Sequence, residues 1–253
     1  MMLTRQQLQR LAQRERIGLQ AQERDYLQHL LLSLLYARSQ SLVFKGGTAL
    51  RIVYRGQRYS EDLDFNAPDG LAEAQQLWNG VVADLARYGV EAEIRESWGG
   101  EHGYSFDVSY RGPLYDGRDR TKGKVRVDLN LRSESVATQR QLVSPEYDDL
   151  RPFVLTALAP AHLLAEKVRA LLVRGKPRDL YDVWLMQSKG WRVDWELVDQ
   201  KLGLYEQRFS SSLLQVALDR IAPDWERDLR PLLPQLAPFE DARRVVEEYL
   251  NPI

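Results

Sequence analysis

The sequence predicts an α+β (mixed α/β) protein in two parts: an N-terminal lobe, residues 1–150, with a mixed sheet and flanking helices, and a helical C-terminal lobe, residues 151–253. Three observations carry this. Residues 124–132, KVRVDLNLR, alternate throughout, with Val125, Val127, Leu129 and Leu131 on one face and Arg126, Asp128, Asn130 and Arg132 on the other. Between residues 42 and 110, shorter apolar or alternating runs stand between turn residues, and apolar residues at helical spacing flank them. After Asp149 the pattern changes: a connector punctuated by proline covers 150–160, and from 161 to 251 the chain reads as helix after helix, interrupted at Pro177, Gly190, Gly203, Pro223 and the segment 231–238.

Taken in order, Thr4 precedes a helical pattern, with Gln7 at the capping-box position. Gly18 interrupts it, and Tyr26, Leu27, Leu30, Leu31, Leu34 and Leu35 then mark a second helix suited to lie beside a central strand. Leu42-Val43-Phe44 has the length of a buried strand, Lys45-Gly46-Gly47-Thr48 is a turn, and 49–54 a short helix. A polar loop leads to Asp62-Leu63-Asp64-Phe65, where two carboxylates alternate with two apolar residues. A turn at 67–70 opens a helix over 71–88 with Gly89 as its C-cap. Strands are expected at 90–96 and 104–110 about a turn at 99–103, then at 124–132, with room for a short one at 153–155 in the connector.

Composition narrows the function classes. The 253 residues are 44% hydrophobic and 28% charged, as in soluble globular proteins, and the net charge of −1 means that any nucleic-acid contact must come from a local patch. The absence of cysteine excludes disulfides and thiolate metal sites. The three histidines, His29, His102 and His162, are scattered, and neither a zinc site nor a Ser-His-Asp arrangement is legible. The polar N-terminus does not read as a signal peptide and no apolar run is long enough to cross a membrane, so a cytoplasmic protein without a membrane partner is expected.

The acids carry the chemistry. Asp62 and Asp64 on one face of a strand repel each other unless a cation lies between them, and hard oxygen ligands of this kind suit Mg²⁺ together with substrate phosphates. Asp128, on the polar face of another strand, is positioned to complete a three-acid metal site. The plain alternative is a set of solvated acids on an exposed sheet face; the glycine turn and helix that precede them favour the site. The turn Lys45-Gly46-Gly47-Thr48 suits phosphate through its backbone N–H groups and the Thr48 hydroxyl, or is a simple strand-to-helix turn with Thr48 as N-cap. Together the two halves ask for a metal-bound nucleoside triphosphate.

In the helical part, Glu166-Lys167-Val168-Arg169 and Arg174-Gly175-Lys176-Pro177-Arg178-Asp179-Leu180-Tyr181-Asp182 offer a cation for a triphosphate and acids for a base or ribose, or an ordinary helical hairpin dressed with ion pairs. Residues 111–132 are rich in Arg and Lys and would guide RNA phosphate; Asp116 and Asp119 within them fit a solvated loop equally well.

The segment GGTALRIVYRGQRYSEDLDF resembles the first motif of the AbiEii toxin family of nucleotidyltransferases, in the DNA polymerase β-like superfamily, and EKVRALLVRGKPRDLYDVWLM is similar to that family's later K…RD-x-x-D segment. The resemblance covers residues 42–186 and implies a nucleotidyltransferase-like N-terminal lobe followed by a helical one. It implies transfer of a nucleoside monophosphate from an NTP to an acceptor hydroxyl with release of pyrophosphate, Mg²⁺ as cofactor, and a toxin of a type IV toxin–antitoxin pair with a cognate antitoxin, linked to abortive infection in antiviral defence. Some members modify tRNA 3′ ends, so an RNA acceptor, tRNA first, is expected. By motif, Lys45, Gly46, Gly47 and Thr48 would meet phosphate, Asp62 and Asp64 would bind metal, and Lys167, Arg178, Asp179 and Asp182 match the later segment, with Lys167 and Asp182 assigned to catalysis and Lys167, Arg178 and Asp179 to the nucleotide. Superfamily members commonly carry Gly-Ser where this chain has Gly47-Thr48; threonine keeps the hydroxyl. Two rival readings use the same residues: a catalytically idle NTP- or RNA-binding module, which would not require paired acids, and a metal-dependent phosphohydrolase, which would turn over without an acceptor.

Overall fold

Thr4 caps the first helix as its spacing from Gln7 predicts: its hydroxyl accepts the Gln7 N–H at 3.3 Å and its own N–H donates to the Gln7 side chain at 2.8 Å. The computed structural model describes residues 3–132 and 134–251. They divide into two compact units, Met1–Leu158 and Ala159–Ile253.

In the first unit, α1 (Arg5–Glu15) and α2 (Leu19–Arg38) precede a seven-stranded mixed sheet. Its strands are β1 (Val43–Lys45), β2 (Leu63–Asn66), β3 (Glu91–Gly100), β4 (Gly103–Arg111), β5 (Gly123–Asn130), β6 (Thr138–Val143) and β7 (Phe153–Leu158), in the order β3-β4-β5-β2-β1-β7-β6. The β1–β7 and β2–β5 pairs are parallel and the others antiparallel. Helix α3 (Gly46–Ile52) joins β1 to the loop before β2, and α4 (Leu71–Asp84) joins β2 to β3 through a 3₁₀ turn that ends at Gly89, with φ 76°.

The core lies on one face of this sheet. Leu63, Phe65, Val125, Val127, Leu129, Phe106 and Val108 point into it and are buried, as the alternation requires. An aromatic line runs through it: Phe44 lies 5.3 Å from Phe65, Phe65 5.7 Å from Trp78 of α4, and Trp78 5.6 Å from Phe106. The last two pairs are edge-to-face, each contributing about 0.5–1.5 kcal/mol beyond area burial. Along α2, Tyr26, Leu27, Leu30, Leu31 and Leu35 are buried, but so are Gln22, Glu23, Asp25 and Gln28, which makes it a helix enclosed on more than its apolar face.

Beyond shifted element ends, such as β3 running on through Gly99 and Gly100 and α3 starting at Gly46, two larger features depart from the sequence expectation. The units divide after Leu158 rather than after Leu150, because the expected connector is strand β7, paired in parallel with β1 and antiparallel with β6. Strand β6, sequence TQRQLV, was not expected at all: as an edge strand its polar residues need no alternation.

The second unit is helical: α5 (Pro160–Val173), α6 (Pro177–Ser188), α7 (Trp195–Gly203), α8 (Ser211–Ile221), α9 (Trp225–Leu229) and α10 (Phe239–Tyr249). Pro160 and Pro177 stand in the first turns of α5 and α6, where a missing N–H costs nothing. Gly175, at φ 60°, makes the tight reversal between those two helices. Asp194 and Ser210 cap α7 and α8 by accepting the Leu197 and Leu213 N–H groups. Among the described residues no helix is long and apolar enough to cross a membrane.

Candidate active site

The two glycines of the β1–α3 turn are each required by what lies against them. Gly46 has φ 76°, a conformation L side chains rarely adopt, and a Cβ there would stand 1.9 Å from Oδ2 of Asp64. A Cβ on Gly47 would stand 2.6 Å from Nη2 of Arg58 and 2.7 Å from Oγ of Ser60. The turn is therefore the point at which a carboxylate, a guanidinium and a hydroxyl approach one stretch of backbone. Lys45 precedes it in extended conformation and is the N-cap residue of α3.

Thr48 departs from both expected roles. It lies inside α3, fully buried, and its hydroxyl donates to the main-chain carbonyl of Asp62 at 2.5 Å. That hydroxyl is thus neither an N-cap nor open to a phosphate; it ties α3 to the residue preceding β2. Two further ties hold the same loop. Gln28 of α2, buried, donates its amide to the carbonyls of Ser60 at 3.1 Å and Glu61 at 2.8 Å. Buried Arg58 donates to the carbonyl of Tyr59 at 3.0 Å.

The sheet register sets the acids. Asp64 of β2 is the direct partner of Asp128 in parallel β5, and on its other side of Lys45 in antiparallel β1. Directly paired residues share a face, and adjacent strands lie about 4.8 Å apart, so Lys45, Asp64 and Asp128 form one row across the polar face. Asp62 stands one residue ahead of β2. Arg126 Nε is 3.5 Å from Asp128 Oδ1. Among the described residues no group of three or more His, Cys, Asp or Glu is gathered as a metal site. The row nevertheless fits Mg²⁺ by its chemistry: two adjacent hard carboxylates, which repel each other without a cation, match an ion that commonly takes one or two carboxylates and leaves its other positions to water and phosphate.

Helix α3 is anchored from behind by a buried network that sequence reasoning did not find. Asp25 of α2 accepts Nε of Arg51 at 2.8 Å and the Tyr147 hydroxyl at 2.6 Å, and His29 Nδ1 lies 3.4 Å away. Burial alone would push the Asp25 carboxyl up; the charges of His29 and Arg51 and the Tyr147 hydrogen bond outweigh it and hold it below the ordinary aspartate value. Burial, then the Asp25 charge, push the Tyr147 phenol well above its usual range. Tyr147 also accepts Nε2 of Gln22 at 2.8 Å.

In the helical unit, the residues of the later motif fall into two ion pairs on the α5–α6 hairpin. Lys167 Nζ lies 2.7 Å from Asp182 Oδ2, and the residues are only 8% and 1% exposed. The two candidates are thus partners of each other. Asp179 departs from its expected nucleotide role. It is fully buried, and its carboxylate accepts Arg174 Nη2 at 2.5 Å, Arg174 Nε at 3.0 Å and the N–H of Lys176 at 3.2 Å. It closes the reversal between α5 and α6. Arg178, in the first turn of α6, is exposed.

Comparison with known proteins agrees with this architecture. Residues 30–248 match the family described as nucleotidyl transferase AbiEii toxin of type IV toxin–antitoxin systems. Among solved structures, the chain is similar to MenT4, a nucleotidyltransferase toxin from Mycobacterium tuberculosis H37Rv, at 22% identity and a TM-score of 0.67, over 98% of this chain and 88% of that one. It is also similar to JHP933 from Helicobacter pylori, at 16% identity and a TM-score of 0.61, over 92% of this chain and 91% of that one. A search of curated proteins found none that matches the sequence. The family match spans most of the chain: it belongs to the AbiEii family and is a nucleotidyltransferase of the toxin class. Membership implies an NTP as substrate and an antitoxin as partner.

Proposed function

We propose that this AbiEii-family chain moves a nucleoside monophosphate from an NTP to a hydroxyl of an RNA acceptor, with the 3′ end of tRNA as first candidate, in a Mg²⁺-dependent reaction. The observation that carries the reading is the row Lys45–Asp64–Asp128 beside the Gly46-Gly47 turn. In the transfer, the acceptor oxygen bonds to the α-phosphorus as its proton passes to water, and the bond from that phosphorus to the β-bridging oxygen breaks, releasing pyrophosphate with the electron pair. Mg²⁺ would lower the pKa of the acceptor hydroxyl and neutralise the departing charge. Asp64 and Asp128, with Asp62 immediately upstream of β2, are the residues that would hold it. Lys45 adds a cation at the end of the row for phosphate oxygens. The three ties on residues 58–62 keep Asp62 and Asp64 preorganised, which lowers the reorganisation needed at the moment of reaction.

Lys167 and Asp182 join this reading through the later motif, as a charged pair serving the same reaction, and exposed Arg178 as a phosphate contact. In the cell the enzyme would act in the cytoplasm as the toxin of an abortive-infection defence against phage, restrained by its antitoxin. Incubation with each labelled NTP, Mg²⁺ and total RNA tests the reading. Labelled RNA from one NTP, lost in Asp64→Asn, is expected. Phosphate or pyrophosphate release without labelled RNA would identify a phosphohydrolase instead, and NTP binding without turnover an idle module.

A further inference from the structure

Strand β3 is an edge strand lined with charge, and one large apolar side chain stands out on it: Trp98, 63% exposed. Its placement is set by a bulge. From Glu91 to Arg95 the register with β4 is regular, and Glu91, Glu93 and Arg95 lie opposite Arg111, Ser109 and Asp107, on the face that carries the acids. Ala92 and Ile94 lie on the other face, against the core. Uninterrupted alternation would send Trp98 to the core face after them. Instead the register shifts by one residue between Arg95 and Trp98, and Glu96 sits at φ 50°, a left-handed conformation that L residues rarely adopt. Beyond the bulge Trp98 pairs with Ser105, which pairs with Asp128, which pairs with Asp64.

The bulge therefore takes a tryptophan out of reach of the core and sets it in the row of the metal-binding candidates. It stands two strands from Asp128, or about 10 Å at the usual strand spacing. The sheet makes room for it: a Cβ on Gly100 would come within 3.0 Å of the Trp98 six-membered ring, so the indole leans over a glycine on the same face. Between Trp98 and the acids the face is polar. Ser105 stands between them in the row, and Arg126, one row along, lies 3.5 Å from Asp128 and 3.9 Å from Oδ1 of buried Asp107. A strained backbone conformation that exposes an aromatic ring in the row of the acids describes a stacking platform for an unpaired base.

We propose that Trp98 stacks on a nucleobase of a single-stranded RNA acceptor and so holds the strand along the β4–β5 face beside Asp128. The proposal rests on the transferase reading for its substrate class. Bases of any identity have a π-face, so the platform selects unpaired RNA rather than a sequence. Arg126 would lie beside that row, next to Asp128, within reach of the strand's phosphate.

The test is direct binding of a short, mixed-sequence, fluorescently labelled single-stranded oligoribonucleotide to wild type, Trp98→Ala and Trp98→Phe, without NTP or Mg²⁺, beside the transfer assay on the same proteins. Trp98 is exposed, so all three should unfold at the same temperature. Trp98→Ala should weaken oligonucleotide binding about 5- to 150-fold, the range for loss of one base stack, while Trp98→Phe stays within a fewfold of wild type. Blunt double-stranded RNA should show no dependence on Trp98. In transfer, Trp98→Ala should raise the acceptor KM and leave the NTP KM unchanged. Equal oligonucleotide binding by wild type and Trp98→Ala, or none by wild type, overturns the proposal. So does a Trp98→Ala defect seen only in self-association or in antitoxin binding, which would make this a protein contact. Trp98-dependent RNA binding without RNA labelling would instead sink the transferase reading and leave the platform standing.

Discussion

The Lys167–Asp182 pair sets the terms on which the helical unit can be tested. At 2.7 Å the gross attraction is about 6 kcal/mol for an effective dielectric of about 20, most of it offset by the desolvation of two charges whose side chains are only 10% and 2% exposed. The pair adds little net stability, whereas removing one member leaves the other buried without its partner at 2.7 Å, at about 3–5 kcal/mol. Lys167→Met and Asp182→Leu, each alone, are therefore expected to destabilise the protein severely. The double variant Lys167→Met/Asp182→Leu removes both charges and fills the volume. Its loss should fall short of the sum of the single losses by at least about 2 kcal/mol. A double-mutant cycle in urea denaturation measures this. Losses that add within about 0.5 kcal/mol would show that the two charges do not depend on each other and would refute the reasoning. The same double variant, folded, then isolates chemistry from stability: abolished transfer assigns the pair a part in the reaction, and wild-type transfer makes it scaffold.

The acid row should separate activity from stability in the opposite sense. Asp62→Asn and Asp64→Asn should each lose transfer by several orders of magnitude while the protein stays folded; normal transfer in either would remove that residue from the site. Asp128→Asn should shift the Mg²⁺ titration of activity to higher concentration, and an unchanged midpoint and rate would leave it a surface acid. Gly46→Ala should cost roughly 1–2 kcal/mol for its left-handed backbone and displace the Asp64 carboxylate, so transfer should fall even where the protein is fully folded. Asp25 is held below its unfolded value of about 3.9, so its contribution is fully present above that pH and lost as pH falls through the folded value. Asp25→Asn should therefore lower stability at pH 7 and flatten its decline below about pH 4; parallel wild-type and variant curves would contradict the network.

What could be read in advance follows from the range of each interaction. The Asp62-to-Phe65 alternation and the run 124–132 are period-2 patterns, so the facing of Asp64 and Asp128 was legible, and pairing β2 beside β5 needed only that both polar faces coincide. The ties that fix the site were not, because they join distant residues: Asp25 meets Tyr147, and Gln28 meets the backbone of residues 60–61. Arg58 and Ser60 carried a signal only in being polar residues just ahead of the acids. Asp179 and Asp182 show the limit of spacing. They stand three residues apart on one helix, yet Asp179 takes the hydrogen bonds that close the Arg174–Lys176 reversal while Asp182 takes Lys167. Trp98 was unreadable for another reason, since its face depends on a one-residue bulge.

The distribution of buried polar groups argues for what α2 is for. A helix whose only task was to cover the sheet would be served by leucine at every inward position, and Leu27, Leu30, Leu31 and Leu35 do that. Asp25 and Gln28 are buried beside them at the cost of desolvation, and each spends its hydrogen bonds on the site's frame: Asp25 on Arg51 of α3, Gln28 on the loop that ends at Asp62. Thr48 closes the frame from α3 to Asp62 itself. Replacing these groups by apolar residues of like volume would leave the fold's core intact and free the Gly46-Gly47 turn to move against Asp64. Burying polar groups at such a place makes sense when position, more than stability, is what the chain must secure.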